Sequence, residues 1–244
     1  MIKKLLLNLY IWPLFFLVTL VALLLIPIIF TVNLLFVRKP VNSLFRIGVR
    51  VYGWVLVRLV PFFAPVRLHD RSGGRPETGI YVANHNSSAD PYCFGVIPGE
   101  FVFFTSWPFN IPVYNWIMKQ AEYLNTGWGW QTLYEKSVRL LKNGCSLIIW
   151  PEGHRSRTGE LANFENGAFR LASETGFPIV PVCITGTHRL MPPGQRFLTP
   201  SRVSVTILPP HHPPRGRSDR QSIQQLKEQV RETFDRELLR QGHD

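Results

Sequence analysis

The chain is poor in cysteine, and this shortage restricts what it can be. Its three cysteines, Cys93, Cys145 and Cys183, lie far apart and form no C-x-x-C pair. An odd and scattered set of this kind argues against a disulfide framework and against a zinc ribbon. A reducing compartment fits this pattern best.

Acidic residues are also few, with 16 Asp and Glu against 27 Lys and Arg, which gives a formal net charge of +11. Such a balance indicates a negatively charged partner, and lipid headgroups, nucleic acid and phosphorylated cofactors all qualify. The charge by itself does not choose among them.

Several catalytic motifs are missing from the sequence, namely G-x-S-x-G, H-E-x-x-H, G-x-x-x-x-G-K and G-x-G-x-x-G. Serine hydrolases, zinc proteases and nucleotide-phosphate enzymes therefore lose their usual sequence support. We expect no metal site and no bound cofactor, because five of the histidines are scattered without ligand spacing: His69, His154, His211, His212 and His243.

The most prominent feature that is present is an uncharged run over 5–37. A bilayer core needs about 20 helical residues, so the run is ample for one span, although Pro13 and Pro27 should kink or break a helix. A single kinked helix that crosses and a helical hairpin that dips in and returns both stay open. A signal peptide fits less well, since the run is long and lacks an evident cleavage site.

Basic residues follow the apolar run and predict its orientation. The positive-inside bias places the rest of the chain on the cytoplasmic face, on the basis of Arg38, Lys39, Arg46 and Arg50. The next stretch, 41–67, has the composition of an interfacial helix, although ordinary amphipathic packing explains it equally well. Its aromatic residues are Phe45, Tyr52, Trp54, Phe62 and Phe63.

A turn-rich stretch over 71–78 predicts the domain boundary. We therefore expect a membrane anchor with interfacial helices over 1–70 and a catalytic domain over 71–244. Within that domain short apolar runs alternate with helical patterns, which predicts an α/β fold with a mixed, mostly parallel sheet flanked by helices. The predicted strands are 80–83, 101–105, 147–150, 179–184 and 203–208, and the predicted helices are 130–142, 165–175 and 219–240.

A histidine and an aspartate follow the first predicted strand in an N-H-x4-D pattern, as His85 and Asp90. Five residues of α-helix turn through about 500°, so a loop rather than one helix face must bring the two together. Pro91 suits the first helical position and makes Asp90 a natural N-cap. A carboxylate on one imidazole nitrogen would make the other nitrogen a base, although a simple helix cap is an equally good interpretation of this motif alone.

A second polar cluster follows the strand that ends at Trp150, in the sequence Pro-Glu-Gly-His-Arg-Ser-Arg over 151–157. One carboxylate and two guanidinium groups on a single loop could hold a polyol and an anion together. The presence of both clusters in this order favours a functional role for each of them.

Together these blocks resemble the membrane glycerolipid acyltransferases typified by bacterial 1-acyl-sn-glycerol-3-phosphate acyltransferase. The family's N-H-x4-D block matches at His85 and Asp90, and its F-P-E-G-T-R-S block is similar to the sequence over 150–156. Weaker similarity follows over 164–169, without the family's lysine, and over 180–184. The resemblance covers roughly 80–187.

The resemblance implies an O-acyltransferase that moves a fatty acyl group from acyl carrier protein or coenzyme A to the free hydroxyl of a lysolipid, first of all 1-acyl-sn-glycerol 3-phosphate. His85 and Asp90 would be catalytic, with His85 as the base and no acyl-enzyme intermediate. Membrane lipid is an expected partner of the protein. The residues that would bind substrate are Glu152, Gly153, Arg155 and Ser156, with Glu152 and Gly153 at the glycerol and Arg155 at the acceptor phosphate.

The chain departs from the family where an arginine commonly follows a strand in a pattern like I-D-R. Here the sequence reads Tyr-Leu-Asn-Thr over 123–126. A lyso-ornithine lipid or a lysophosphodiester therefore stays open as the acceptor, and Lys119 or Arg139 could compensate for the arginine. Trp128 and Trp130 could line an acyl or headgroup channel, although core packing is the more ordinary role.

Two other classes compete with the enzyme. A catalytically idle lipid-binding module would keep the same residues, and only an activity assay separates it from an enzyme. A nucleic-acid-binding protein would explain the late arginines, but the apolar anchor makes anionic lipid the simpler partner, and we expect no nucleic acid. These arginines are Arg189, Arg196, Arg202, Arg215, Arg217 and Arg220.

Overall fold

The computed structural model describes residues 2–61, 63–76, 78–214 and 219–242. Phe62, Arg215, Arg217 and His243, which the sequence interpretation named, lie outside the described residues. The helices are α1 (Ile2–Val32), α2 (Val41–Arg58), α3 (Asp90–Cys93), α4 (Pro112–Gln120), α5 (Trp130–Lys142), α6 (Gly167–Thr175), α7 (Thr187–Leu190) and α8 (Arg220–Gly242). A π-helical turn, Asn33–Val37, continues α1, and 3₁₀ turns cover Phe94–Val96 and Trp107–Asn110.

One mixed sheet forms the centre of the molecule, with the strand order β1-β7-β6-β2-β5-β3-β4. All neighbouring strands are parallel except β6 and β7, so the predicted mixed and mostly parallel sheet is confirmed. The strands are β1 (Val66–Asp70), β2 (Ile80–Ala83), β3 (Phe101–Thr105), β4 (Leu124–Asn125), β5 (Ser146–Ile149), β6 (Ile179–Thr185) and β7 (Val203–Ile207).

The middle of this sheet is apolar on both faces, as parallel sheets covered by helices usually are. Ile80 of β2 pairs with Leu147 on one side and Ile179 on the other, and all three side chains are fully buried. The last helix, α8, packs against α6 and β6. Its apolar side chains Val230 and Phe234 are fully buried, so α8 covers the sheet at β6.

The prolines Pro13 and Pro27 were expected to kink or break the apolar helix, and α1 runs through both of them without a break. Of the described residues, only α1 with its π-helical turn is long and apolar enough to cross a membrane, on length and composition alone. It ends where Arg38 takes a left-handed conformation with φ of 58°, and α2 follows. The two helices thus form a hairpin at the N-terminus.

Helix α1 contacts the catalytic part of the chain near its start and contacts α2 further along. The side-chain amide of Asn8 donates to the carbonyl of Leu198 over 2.9 Å and accepts from its N–H over 2.8 Å. Further along, the ring of Phe30 meets that of Phe45 edge to face, with 5.6 Å between centroids. Helix α1 is consequently built into the fold at both of these levels.

Helix α2 attaches the hairpin to the sheet through a buried guanidinium. The side chain of Arg46 is 8% exposed and forms ion pairs with Glu100 at 3.0 Å and Glu122 at 3.1 Å. The opposite face of α2 leaves Val51 and Trp54 exposed. The helix therefore packs on the domain with one face and leaves apolar side chains exposed on another, and its interfacial role stays a prediction.

The predicted division into 1–70 and 71–244 stays a prediction, but the sheet starts earlier. β1 precedes residue 71 and pairs in parallel with β7 from Val66↔Val203 to Asp70↔Ile207. Because a strand cannot belong to an anchor and to the sheet at once, we propose that the catalytic domain begins just before Val66.

The backbone of α2 lies very close to Gly95 of the domain, and a matched pair of glycine variants tests this contact. A Cβ on Gly95 would overlap the backbone of Gly53 and Trp54, whereas a Cβ on Gly48 of α2 meets nothing within 4 Å. We expect Gly95→Ala to lower the free energy of unfolding by about 3 kcal/mol, since backbone cannot move aside cheaply. Gly48→Ala should raise it by about 0.5–1 kcal/mol through helix propensity. Thermal unfolding in detergent measures both, and equal effects would contradict the close helix contact.

Candidate active site

The predicted pair of His85 and Asp90 is assembled by the loop that follows β2. Nδ1 of His85 lies 2.8 Å from Oδ2 of Asp90, whose side chain is completely buried. The same oxygen accepts the backbone N–H groups of Asn86 and Ser87, each over 2.7 Å. A carboxylate held by three donors fixes the imidazole with its proton on Nδ1 and leaves Nε2 free to accept a proton.

Asp90 does not cap the helix that follows it, contrary to the prediction. Helix α3 begins at Asp90, and Ala89 is the capping residue without any side-chain hydrogen bond. The carboxylate turns back to the N–H groups of the preceding loop because they converge on it. The loop places the histidine near the carboxyl ends of β2 and β5, where ligands bind in open α/β sheets.

Glu152 anchors the loop that carries His85. One carboxylate oxygen accepts the backbone N–H of His85 over 2.8 Å, and the other accepts that of Ala162 over 2.8 Å. Burial raises the pKa of Glu152, while the two backbone hydrogen bonds act in the opposite direction. Ser156 adds a second tie, since its N–H donates to the carbonyl of His85 over 2.7 Å. Both residues are buried and reach the base through the backbone.

Trp150 is a site residue that the sequence interpretation did not single out. Its ring stacks on the imidazole of His85, with 4.4 Å between centroids and 16° between planes. Phe94 supports the indole edge to face at 5.7 Å. The available signal was its position at the end of the strand, directly before Pro151, where the family has phenylalanine. The imidazole is thus fixed by Asp90 at one nitrogen and by Trp150 across one face.

Arg155 and Gly153 lie on the exposed side of the second loop. Nη1 of Arg155 donates to the hydroxyl of Ser88 over 2.8 Å, which ties the guanidinium to the His85 loop. Gly153 has a φ of 71°, a left-handed conformation that a side chain rarely adopts. The two loops that carry the predicted site residues therefore contact one another directly.

A cavity of about 1900 Å³ joins this site to the N-terminal hairpin. His85, Gly153, Arg155 and Ser156 line its polar end. Glu152 does not line the cavity. The apolar end is formed by α1, α2 and α4, with Ile26, Phe30, Phe45, Ile47, Val55 and Met118 among its lining. Such a cavity fits a ligand that has a long apolar part and a small polar head.

The second family block contributes no cation to the cavity. Tyr123 and Leu124 are buried and β4 pairs with β3, while Thr126 lines the cavity. Arg139 is bound to Glu122 at 2.6 Å, and neither it nor Lys119 lines the cavity, so the suggested compensation was wrong. The cationic side chains that line it within the described part of the chain are Arg155, Arg157 and Arg196.

The remaining predicted residues are structural. Trp128 and Trp130 do not line the cavity and instead contact Lys136 and Arg170 as cation–π pairs. The weaker family blocks supply Phe164, which packs against Phe234, and the buried strand β6. Within the described ranges, no group of three or more His, Cys, Asp or Glu side chains could hold a metal ion.

Comparison with known proteins gives a consistent result. The acyltransferase family model matches residues 66–185. A chloroplastic 1-acyl-sn-glycerol-3-phosphate acyltransferase from Arabidopsis thaliana is 30% identical over 166 residues, which are 65% of this chain and 47% of the relative. The enzyme of the same name from Saccharomyces cerevisiae is 32% identical over 146 residues, 54% of this chain and 46% of the relative. The chain spans about half the length of these curated relatives.

A solved structure shares the whole fold. The 1-acyl-sn-glycerophosphate acyltransferase from Thermotoga maritima superposes with a TM-score of 0.71 at 24% identity, covering 96% of this chain and 97% of that one. The superposition includes the N-terminal hairpin, because it leaves out only a small part of either chain. The two sequence blocks, their geometry and the comparisons agree, and residues 66–185 of this chain match the acyltransferase family.

Proposed function

We propose that this protein transfers a fatty acyl group from a thioester to the free hydroxyl of a lysolipid at a membrane surface, in membrane lipid biosynthesis. The observation that carries the proposal is the position of the His85–Asp90 pair on the wall of a cavity whose other end is apolar. A base beside an acyl-sized groove is what this reaction requires. The names of the relatives support the same reaction.

The chemistry follows from the fixed imidazole. Nε2 of His85 removes the proton of the acceptor hydroxyl, and the oxygen attacks the thioester carbonyl to give a tetrahedral oxyanion. Collapse of this intermediate forms the ester and expels the thiolate, which takes the proton back from the imidazolium. Asp90 stabilises the imidazolium through Nδ1–H, and no acyl-enzyme forms. General-base assistance of this kind contributes about 10²- to 10⁴-fold in rate.

The substrates would divide the cavity between them. The acyl chain occupies the apolar end between α1, α2 and α4, and the acyl carrier protein or coenzyme A part of the donor stays outside. The glycerol part lies at Gly153, which lines the cavity. Glu152 assists through the loop rather than by contact, because both of its oxygens are taken by backbone N–H groups. The transfer needs no metal or bound cofactor.

The acceptor headgroup binds at the cationic end of the cavity. Arg155 would hold the phosphate of 1-acyl-sn-glycerol 3-phosphate, since a guanidinium can bind two phosphate oxygens at once. The missing arginine of the second block leaves a lysophosphodiester or a lyso-ornithine lipid as alternative acceptors. An idle lipid-binding module remains the candidate from another class, and turnover separates it from the enzyme.

The membrane arrangement follows from how α1 is packed. Helix α1 binds Leu198 of the domain through Asn8, and its Leu23, Ile26 and Pro27 line a hollow together with α4 of the domain. A helix that lies beside the domain over this length would not cross the bilayer alone while the domain stays outside. We infer that α1 lies in one leaflet with its exposed apolar face in the lipid. Basic residues near the end of α1 favour the cytoplasmic face.

Replacement of Asp90 by asparagine tests the role of the carboxylate. Asp90→Asn removes the charge that stabilises the imidazolium and should lower kcat by about 10²- to 10⁴-fold in a steady-state transfer assay. Asp235→Asn is the matched control, since Asp235 is half-exposed on α8 and only 3.8 Å from Arg231. An Asp90→Asn protein that is folded and as fast as this control would contradict the dyad.

The reaction itself is tested by acyl transfer from acyl-coenzyme A and acyl carrier protein to a panel of acceptors. Wild-type membranes are compared with His85→Ala and Arg155→Ala on lysophosphatidate, lysophosphodiesters and lyso-ornithine lipid. We expect lysophosphatidate to be acylated, His85→Ala to be inactive, and Arg155→Ala to raise KM because charge-assisted hydrogen bonds to phosphate are lost.

The panel also separates the alternatives. Acylation of a lysophosphodiester or lyso-ornithine lipid in preference to lysophosphatidate would show that the second-block arginine decides the headgroup. If folded wild-type protein acylates none of the acceptors but still binds lysolipid, the idle binding module is the correct account.

A further inference from the structure

The exposed apolar side chains beyond α1 are concentrated on and beside the N-terminal hairpin. Outside α1 and its π-helical turn, the large hydrophobic residues found exposed in the described part of the chain are Val41, Val51, Trp54, Leu59, Trp107, Val113, Trp116, Phe197 and Leu239. The first four lie on or directly after α2, and Phe197 neighbours the residue that binds Asn8. Leu239 on α8 is the exception. Scattered exposed residues are ordinary, whereas a continuous set needs a partner.

Three of these residues belong to one element of the catalytic domain, the 3₁₀ turn Trp107–Asn110 and helix α4. Trp107 is 68% exposed, Val113 50% and Trp116 46%. We call Trp107, Val113 and Trp116 the aromatic rim. The sequence interpretation assigned this element no role.

The aromatic rim lies next to the apolar helix. Pro112, Val113 and Trp116 line a shallow hollow together with Leu23, Ile26 and Pro27 of α1. The ring of Trp116 also meets that of Phe45 edge to face, with 5.2 Å between centroids. The rim and the exposed face of α1 therefore form one continuous apolar surface.

The rim also borders the cavity. Trp107 and Val113 are among its lining residues, on the side where α1, α2 and α4 meet. A lysolipid that leaves the bilayer for the catalytic site would pass this edge. Indole rings with one apolar and one polar side prefer the depth of the lipid headgroups.

We infer that the aromatic rim is a second membrane-contacting surface, one that belongs to the catalytic domain and seats Trp107 and Trp116 in the headgroup region. This inference rests on the proposed membrane attachment through α1 and adds a site that the anchor alone does not require. Its occupant is the bilayer, because the rim adjoins the apolar surface of α1 at the hollow and borders the edge by which a lysolipid would enter the cavity, which we take as its mouth. The rim would hold that mouth against the lipid.

Site-specific fluorescence tests the inference on the full chain. The three native cysteines are buried, so a cysteine introduced at an exposed position can be labelled selectively with an environment-sensitive maleimide dye. The test positions are Trp107→Cys and Trp116→Cys. The matched control is Leu239→Cys, which is 67% exposed like Trp107, and the positive control is Leu24→Cys on α1, which is 63% exposed. Vesicles of phosphatidylcholine and phosphatidylglycerol carry doxyl groups on their acyl chains.

We expect labels at 107, 116 and 24 to shift to the blue and lose fluorescence to the doxyl groups, while the label at 239 changes in neither respect. Quenching at 24 without quenching at 107 and 116 would overturn the inference and leave the anchor intact. An unquenched label at 24 would overturn both it and the membrane attachment, whereas the acceptor panel tests acyl transfer independently. Unchanged thermal unfolding of each labelled variant confirms that the fold is retained.

Discussion

The site depends on one buried carboxylate oxygen. Oδ2 of Asp90 accepts the ring N–H of His85 and the N–H groups of two loop residues, so the same atom shapes the loop and orients the base. Removal of a buried acceptor leaves its donors without a hydrogen-bond partner. The free-energy cost of these unpaired donors exceeds the net contribution of the hydrogen bonds themselves. The catalytic geometry and the local backbone are therefore one structural unit, and neither could be altered without the other.

A second layer keeps this unit in place relative to the sheet. Glu152 and Ser156, on the loop after β5, bind the N–H and the carbonyl of His85, and Trp150 covers its imidazole. Because β2 and β5 are neighbours in parallel, their following loops meet at the same edge. The two blocks are far apart in sequence, but both of them position the side chain of His85.

The N-terminal hairpin is more than an anchor in this arrangement. α1 and α2 supply the apolar end of the cavity, and Arg46 of α2 is bound to Glu100 and Glu122 of the catalytic domain. The apolar end of the cavity and the attachment of the hairpin to the catalytic domain therefore involve the same helices.

Much of the fold was predictable because the central strands are short apolar runs and α5 and α8 have strong periodicity. β1 was missed because Arg67, His69 and Asp70 give it the composition of a loop, and only its pairing with β7 makes it a strand. The continuity of α1 through two prolines could not be predicted, since a proline removes a helix hydrogen bond and is expected to kink or break a helix. His85 and Asp90 were found from their motif. The true partners of Asp90 and Glu152, and the stacking of Trp150, arise from contacts between distant segments.

The most direct test of the central claim, that His85 acts as a base and not as a nucleophile, is a rapid-quench experiment with a radiolabelled acyl thioester. Wild-type protein is mixed with donor alone and then with donor and lysolipid, and acid-precipitated protein is counted at each time. Direct attack by the acceptor predicts no acyl group on the protein in either case and labelled lipid only when acceptor is present. Stoichiometric label on the protein that acceptor then discharges would contradict the account.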